Sequence, residues 1–175
     1  MLRALKRAGE RKRLVDGLFA SLSARAREPF FFRNLHVPDT IDGRFDLLTL
    51  HAWLVLERLG DDEDRELSQE LINAIFVQFD ESLRDLGVGD IGIGHRVKKM
   101  AGAFYGRLKA YGEAADADEL ASAILRNVYR GDGRAANSAA ALAAYAANAR
   151  ETLRTASAAG GSLDFGPIPE RAAAA

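Results

Sequence analysis

The chain has 175 residues and a formal net charge of −1, with 48% hydrophobic and 28% charged residues, as is ordinary for one globular domain. The small net charge excludes a strong overall field toward nucleic acid or membrane. The absence of cysteine excludes disulfides, thiolate nucleophiles and cysteine-ligated metal clusters. No apolar run approaches the roughly 18 residues of a spanning helix, and no secretory signal is evident. The sequence therefore predicts a soluble, cytoplasmic protein.

The first 28 residues predict a basic amphipathic helix, because leucines recur at near-helical spacing and arginines and lysines cover the other side. Glu10 and the scarcity of serine argue against a cleaved transit peptide, so we expect this helix to be retained at the surface. Pro29 ends the helix. We interpret Phe30-Phe31-Phe32 and the segment around Pro38 as an extended connection, in which the phenylalanines are candidate exposed contacts.

Helical periodicity returns at Arg44, and Gly60 is a plausible C-terminal cap for this second helix. The acidic run Asp61-Asp62-Glu63-Asp64 then precedes a third helix. Its negative charge suits the positive N-terminal end of the helix dipole. Gly87 is expected to end the third helix.

Three further helices are predicted after a glycine-rich connection: one ending near Tyr111, one stopping at Gly131, and an alanine-rich one from about residue 135 to 156. The tail beyond Gly160-Gly161 has strand-like character at best. The predicted fold is all-α, a single compact domain of about six helices. Its parts are a basic helix at 1–28, a helical domain at 29–157 and a C-terminal tail at 158–175.

The residue patterns of common enzymes and metal sites are absent. No histidine has a second histidine four residues away or a glutamate three residues before it, and there is no Gly-x-Ser-x-Gly motif; the histidines are His36, His51 and His95. We therefore predict no catalytic residue, no metal ligand and no cofactor. A helical enzyme without a recognisable motif stays open as an alternative.

Gly87-Val88-Gly89-Asp90-Ile91-Gly92 matches the letters of the dinucleotide-binding fingerprint G-x-G-x-x-G. That fingerprint requires a preceding strand and a βαβ unit, and neither is predicted here. We interpret the segment as a connection between helices, with Asp90 capping a nearby group.

A second basic element runs from His95 to Lys109, a stretch that contains five lysines and arginines and no acidic residue. Such a run is either a solvated helix face or a docking patch for an anionic partner, namely a membrane phospholipid, RNA or an acidic protein. Phe104 and Tyr111 fall on the apolar stripe of this helix, so we expect both in the core rather than stacked on bases.

Four segments, in order, resemble those of the ubiquinol–cytochrome c chaperone family. Val37-Pro38-Asp39-Thr40-Ile41-Asp42-Gly43-Arg44-Phe45 resembles the opening block of that family, and Phe79 to Asp90 the second. Lys98 to Arg107 resembles the third block, and Leu125-Arg126-Asn127-Val128-Tyr129 a weaker fourth. The resemblance extends from about residue 35 to residue 150.

This resemblance implies a chaperone, not an enzyme, that binds newly made cytochrome b during assembly of the ubiquinol–cytochrome c reductase (bc1) complex. It suggests a short bacterial-type member, with the ribosome, an anionic membrane surface or a second assembly factor as further partners, and no DNA. The alternative is a peripheral protein of the inner face of the cytoplasmic membrane, or of a ribosome or RNA surface, that uses the two basic helices.

Polar residues of these segments are candidate partner contacts: Asp39, Asp42, Arg44, Arg84, Asp90, Arg96, Lys98, Lys99 and Arg107. Such residues can equally form internal pairs, since buried charges persist only when they are paired. We favour surface contact for the three cations at 96, 98 and 99. We favour a structural role for His51 and Asp80 and a core position for Trp53.

Overall fold

The computed structural model describes residues 2–61, 64–85, 90–155 and 161–169, with side chains at 6–60, 64–82, 84, 94–155 and 161–169. Over these ranges the chain is helical and contains no strand, which confirms the all-α prediction. The helices are α1 (Leu2–Ala26), α2 (Pro29–Arg33), α3 (Ile41–Asp61), α4 (Arg65–Asp85), α5 (Asp90–Gly112), α6 (Ala117–Asn127) and α7 (Ala136–Thr155).

Helix α3 is the centre of the domain and packs against α1, α4, α5 and α7. It is apolar on nearly every side, and a helix of that kind is stable only when it is surrounded by others. Trp53 is buried on α3 beside the ring of Tyr111, with 5.7 Å between the ring centroids, as expected for a core residue.

Three polar side chains of α3 are also buried, at Asp46, Thr49 and His51. Thr49 Oγ1 donates a hydrogen bond of 2.8 Å to the carbonyl of Phe45 within the same helix. A buried polar group is costly unless it is bonded, so each of these side chains needs a partner. Asp46 belongs to the candidate site and is described there.

His51 joins α3 to α7 through its imidazole ring. Its Nδ1 lies 2.7 Å from the Leu47 carbonyl, an acceptor, so Nδ1 carries the proton and Nε2 accepts from the Tyr145 hydroxyl at 2.9 Å. Burial lowers the pKa of His51 to about 4 despite the bond to Leu47. The imidazole is therefore neutral and structural, in agreement with the interpretation from sequence.

Several residues of the first family-like segment have structural roles at the start of α3. Thr40 Oγ1 accepts a 3.1 Å bond from the Gly43 amide, an N-terminal cap, and Arg44 pairs with Asp39 at 2.7 Å. A Cβ atom at Gly43 would lie 1.9 Å from the Pro38 carbonyl oxygen. The loop can fold over the helix only because residue 43 has no side chain.

Two predictions for the helix boundaries are wrong. Phe30-Phe31-Phe32 is not an extended connection: it lies in α2, where Pro29 occupies the first turn. Phe31 is fully buried and its two neighbours pack against the core, so this segment is not an exposed contact surface. Gly60 is also not a cap, because α3 continues through it to Asp61.

The acidic run before α4 acts as expected at Asp64, whose carboxylate accepts a 2.9 Å bond from the Leu67 amide. Asp62, Glu63 and the predicted stop at Gly87 lie outside the described residues. Helix α5 begins at Asp90, so the glycine-rich motif is partly helical and partly outside them as well.

Helix α1 packs against both α3 and α4 and buries Leu18 and Leu22. One of its basic residues is committed to the fold, since Arg11 contacts Asp64 at 3.1 Å, Glu66 at 3.4 Å and Glu70 at 3.0 Å. The basic face of α1 is thus in part a clamp on α4.

The tail from Gly161 crosses α1 and forms no strand within its described residues. Leu163 exchanges hydrogen bonds with the Ser21 hydroxyl, and the Arg25 guanidinium donates to the Gly166 carbonyl at 2.6 Å. Gly17 and Gly161 meet backbone to backbone, and a Cβ on Gly17 would lie 3.1 Å from the Gly161 Cα. The described part of the tail is therefore an integral layer over α1.

Candidate functional site

Two adjoining cavities form the candidate site. The first, here named the cationic pocket, has a volume of about 430 Å³ and is lined by Ile41, Asp42, Phe45, Arg96, Lys99, Met100, Ala103, Arg107, Arg126, Asn127 and Arg130. The second, here named the apolar groove, has a volume of about 370 Å³ and is lined by Phe19, Ser23, Ala26, Arg27, Ile41, Arg44, Phe45, Leu48, Gln78, Phe79, Ser82 and Met100. Ile41, Phe45 and Met100 line both cavities, so the two form one continuous depression.

The site lies where the first turns of α3 meet α1, α4, α5 and the end of α6. Ile41 and Phe45 are one turn apart on α3, at the helical spacing that places them on one face. The α5 residues of the pocket also share one face, because they occur at intervals of three and four; they are Arg96, Lys99, Met100, Ala103 and Arg107. Two neighbouring amphipathic faces therefore leave a gap between them at this point.

A buried carboxylate underlies the cationic pocket. Asp46 is inaccessible to solvent, and its two oxygens each lie 2.8 Å from a guanidinium nitrogen, one of Arg107 and one of Arg130. Arg107 is further positioned over the ring of Phe45 at 5.2 Å and donates to the Ala103 carbonyl at 3.1 Å. These contacts fix the guanidinium of Arg107 before any ligand arrives.

Burial raises the pKa of Asp46 to about 6, because the loss of hydration outweighs the two arginines that favour the charged form. At neutral pH the carboxylate is ionised and neutralises one of the two guanidinium charges. The pocket therefore keeps a net positive charge above this buried anion.

Arg130 reaches Asp46 from an uncommon backbone conformation. Its φ angle is 57°, in the left-handed region, and Gly131 follows with φ 77°. The Gly131 amide donates to the Leu125 carbonyl at 2.9 Å, which turns the chain sharply at the end of α6. Left-handed non-glycine residues cluster at functional sites, where the surrounding structure holds them in place.

The pocket has a surplus of positive charge. Within the described ranges, five cationic side chains line it and two acidic ones accompany them, Asp42 in the wall and Asp46 beneath it, which leaves an excess of three positive charges. Among the residues that the structure describes, no ion pair or hydrogen bond occupies the side chains of Arg96, Lys99 or Arg126. An overall charge of −1 thus conceals a strongly positive cavity.

A larger cavity of about 750 Å³ lies between α3 and α7, but each of its charged side chains has a partner. Arg150 pairs with Glu57, and Arg154 pairs with Glu151 at 3.2 Å. Arg58 donates to the Leu153 carbonyl at 3.0 Å. Volume alone therefore does not identify the site, and unpaired charge distinguishes the smaller pocket.

The candidate contacts proposed from sequence fall in different places. Asp42, Arg96, Lys99 and Arg107 line the cationic pocket, and Arg44 lines the apolar groove. Asp39, Arg84 and Lys98 line neither cavity.

Asp39 pairs with Arg44 at the exposed start of α3. Arg84 pairs with Asp80 at 2.8 Å, one turn away on α4, so the described partner of Asp80 lies within its own helix. Lys98 is exposed and lines neither cavity. The side chain of Asp90 lies outside the described residues.

Sequence reasoning did not select Asp46, Arg126 and Arg130. Asp46 directly follows the first family-like segment, and Arg126 lies in the weak fourth one. For both residues, this position beside or within a family-like segment was the only signal in the sequence. Sequence reasoning also gave no binding role to the apolar lining formed by Phe45, Phe79 and Met100.

Within the described parts of the chain, no three histidine or acidic side chains come close enough together to hold a metal ion. Nor is any described helix both long and apolar enough to cross a membrane.

Comparison with known proteins establishes the class. The chain belongs to the ubiquinol-cytochrome C chaperone family, which matches residues 33–160, and the resemblance seen in the sequence is thereby confirmed. Among solved structures, the Cbp3 homolog from Brucella abortus is 36% identical, with a TM-score of 0.80, covering 94% of this chain and 98% of that one.

A curated relative is the ubiquinol-cytochrome-c reductase complex assembly factor 1 of Xenopus laevis, 22% identical over 102 residues. That match covers 56% of this chain, and the chain spans about half, 51%, of the length of the relative.

Proposed function

We propose that this protein is an assembly factor, not an enzyme, that binds newly made cytochrome b during assembly of the bc1 complex, and that it does so in the cytoplasm at the membrane face. The family and the name of the Xenopus relative support the assembly role. The structural observation that carries the proposal is the apolar groove, which opens to the surface beside a ring of cations.

A chaperone for a membrane-spanning client must cover apolar side chains before they reach lipid. Phe45, Phe79 and Met100 offer an apolar floor, with 5.3 Å between the two phenylalanine rings, and Ile41 is 60% exposed at the rim. Burial of one large apolar side chain is worth about 1.5–3 kcal/mol. A few such contacts give binding that is strong enough to hold the client and weak enough to release it.

The first test is made in a strain that lacks this protein, by measuring the cytochrome b haem spectrum and the bc1 activity of its membranes. We expect both to be lost with normal transcript levels and restored by the wild-type gene. A normal spectrum and normal activity would refute the assembly role.

The groove is tested in the same strain with a matched pair of variants. Ile41→Glu places a charge at the rim of the groove, whereas Val77→Glu changes an equally exposed apolar residue (58%) that lines neither cavity. Ile41 is the first residue of α3, a position that tolerates an acidic side chain. We expect Ile41→Glu to fail in complementation and Val77→Glu to succeed, while equal success would move the client to another surface.

Direct contact is tested with a photoactivatable amino acid at position 48, in the groove, and at position 77 outside it. A crosslink to cytochrome b from position 48 alone supports the proposal. A crosslink to a different protein from position 48 would identify a second assembly factor as the occupant of the groove.

The second candidate function, attachment to an anionic membrane or ribosome surface, is supported by the unpaired cations of α5. Removal of residues 1–13 tests whether α1 contributes to this attachment. The deletion removes most of the basic residues of α1, including Arg11, which holds α1 against α4. Unchanged fractionation with membranes and ribosomes would leave α5 as the basic surface to examine.

A further inference from the structure

We propose that the cationic pocket is a binding site for the phosphate headgroup of an anionic phospholipid, with an acyl chain lying in the adjoining apolar groove. This inference goes beyond the proposed function, because a chaperone for cytochrome b does not require a lipid site of its own. One lipid molecule would place its headgroup in the cationic pocket and its acyl chain in the apolar groove. In the apolar groove the acyl chain and the apolar side chains of the client are alternative occupants, so the lipid leaves the groove when the client binds.

The charge of the pocket matches the headgroup. Arginine binds phosphate oxygens in pairs through its planar fork of N–H donors, and four of the five cations are guanidinium groups, those of Arg96, Arg107, Arg126 and Arg130. Lys99 adds charge from the same face of α5 that carries Arg96 and Arg107. A cavity of about 430 Å³ holds a headgroup and leaves room for ordered water.

The pocket is arranged before a ligand binds. Asp46 holds Arg107 and Arg130 from below through its two oxygens, so their guanidinium groups do not have to be ordered by the ligand.

The apolar groove continues from the pocket without a polar barrier. Ile41, Phe45 and Met100 belong to both cavities, so a chain leaving the headgroup passes directly onto Leu48 and Phe79. Ile41 is 60% exposed at this junction, where an apolar side chain can enter the acyl boundary of a bilayer.

An acidic peptide fits the site less well than a lipid. An extended peptide gains affinity by pairing its backbone with a strand edge, and no strand lines either cavity in the described part of the chain. A helical peptide is about 10 Å wide, so it could place a few side chains in the groove of about 370 Å³, but its backbone would stay outside both cavities. An anionic headgroup with a slender acyl chain needs neither a strand edge nor a wide channel.

The test uses purified protein and flotation with vesicles of phosphatidylcholine alone or mixed with phosphatidylglycerol. We expect binding only to the mixed vesicles. Lys99→Glu and Arg126→Glu alter two different helices and should each weaken this binding about tenfold or more, since each reversal removes an attraction and adds a repulsion.

The matched control is Lys98→Glu, which makes the same charge change at the neighbouring exposed position and lines neither cavity. A localised pocket predicts a much smaller loss for this variant than for Lys99→Glu. Equal losses for the two variants would indicate diffuse surface attraction and would overturn the pocket. Thermal unfolding and circular dichroism of each variant establish that its fold is intact.

Two further arms distinguish other occupants. Inorganic phosphate that blocks vesicle binding completely, at concentrations where sulfate does not, would make the site a free-phosphate site and overturn the lipid assignment. A polyglutamate peptide that binds with the same Lys99 dependence, without vesicle binding, would assign the pocket to an acidic protein. Because Lys99 lies outside the apolar groove, loss of vesicle binding with normal cytochrome b assembly separates this inference from the proposed function.

Discussion

Arg107 and Asp46 form an ion pair of 2.8 Å in which the carboxylate is fully buried and the guanidinium is only 14% exposed. The pair connects α5 to α3 directly beneath the cationic pocket, and Arg130 completes it from the end of α6. Breaking one side of such a pair leaves the other charge buried without a partner. This triad of Asp46, Arg107 and Arg130 therefore holds the wall of the pocket in place and also contributes to the stability of the domain.

We first predict a pH dependence for this triad. The pKa of Asp46 rises from 3.8 to about 6 on folding, so between these values the folded protein holds more protons than the unfolded chain. Its contribution to stability is therefore complete below pH 4 and declines by up to about 3 kcal/mol as the pH rises through 6.

Asp46→Asn cannot titrate and provides the reference. The free energy of unfolding of the wild type minus that of Asp46→Asn should fall from pH 4 to pH 6 and be constant above pH 7, as measured by urea denaturation. If this difference in the free energy of unfolding rises from pH 4 to pH 6 instead, the two arginines hold the pKa of Asp46 below its ordinary value.

The second prediction concerns the bond between His51 and Tyr145. Tyr145→Phe removes the hydroxyl that donates a hydrogen bond to Nε2 of His51. The buried Nε2 is then left without a donor, which should lower the free energy of unfolding by about 1–3 kcal/mol. Tyr105→Phe is the control, because the ring of Tyr105 is 49% exposed. Chemical denaturation at pH 7.5 should separate the two variants, and equal stabilities would mean that water satisfies the imidazole.

The third prediction compares two glycines of the same helix. Gly43→Ala places a methyl group against the Pro38 carbonyl, 1.9 Å away in the present structure, and should lower the free energy of unfolding by about 3 kcal/mol or more. Gly60→Ala has open space around it and should be neutral or stabilise α3 by at most about 0.5–1 kcal/mol. Melting temperatures are sufficient to rank the two. A stable Gly43→Ala would show that the Pro38 loop moves aside easily.

The fourth prediction concerns the clamp of α1 on α4. Arg11→Ala removes contacts to three acidic residues and should lower the free energy of unfolding by about 1 kcal/mol at low ionic strength and by less in high salt. Arg13→Ala is the matched control, at an exposed position two residues away. If both variants lose the same stability at every salt concentration, helix propensity and not the ion pairs would explain the effect.

Periodicity was sufficient to predict the helical class, because leucines and alanines at intervals of three and four leave little choice in a chain without strand patterns. It failed at α2: the first helix does end before Pro29, but this proline also begins a new short helix, since proline is favoured in the first turn. It also gave Gly60 the role of a cap, although a glycine near the end of a helix can equally remain within it.

The site was only partly predictable for a different reason. Lys98 and Lys99 are equivalent in a charge count, but successive helical residues point about 100° apart, and only Lys99 lines the pocket. The burial of Asp46 depends on Arg107 in α5 and Arg130 in the turn after α6, both far along the chain. Local patterns carry no information about which distant cation a carboxylate will meet.

The crossing of Gly17 and Gly161 also bears on the order in which the domain folds. The hydrogen bonds between Ser21 and Leu163 join residues 142 positions apart, and closing so long a loop is entropically unfavourable in an unfolded chain. Once α1, α3 and α7 have packed, the two partners are already neighbours and the remaining loss of entropy is small. The tail should therefore attach after the helices and detach without unfolding them, so its amides, and not those of α3, would be the first to exchange with solvent deuterium.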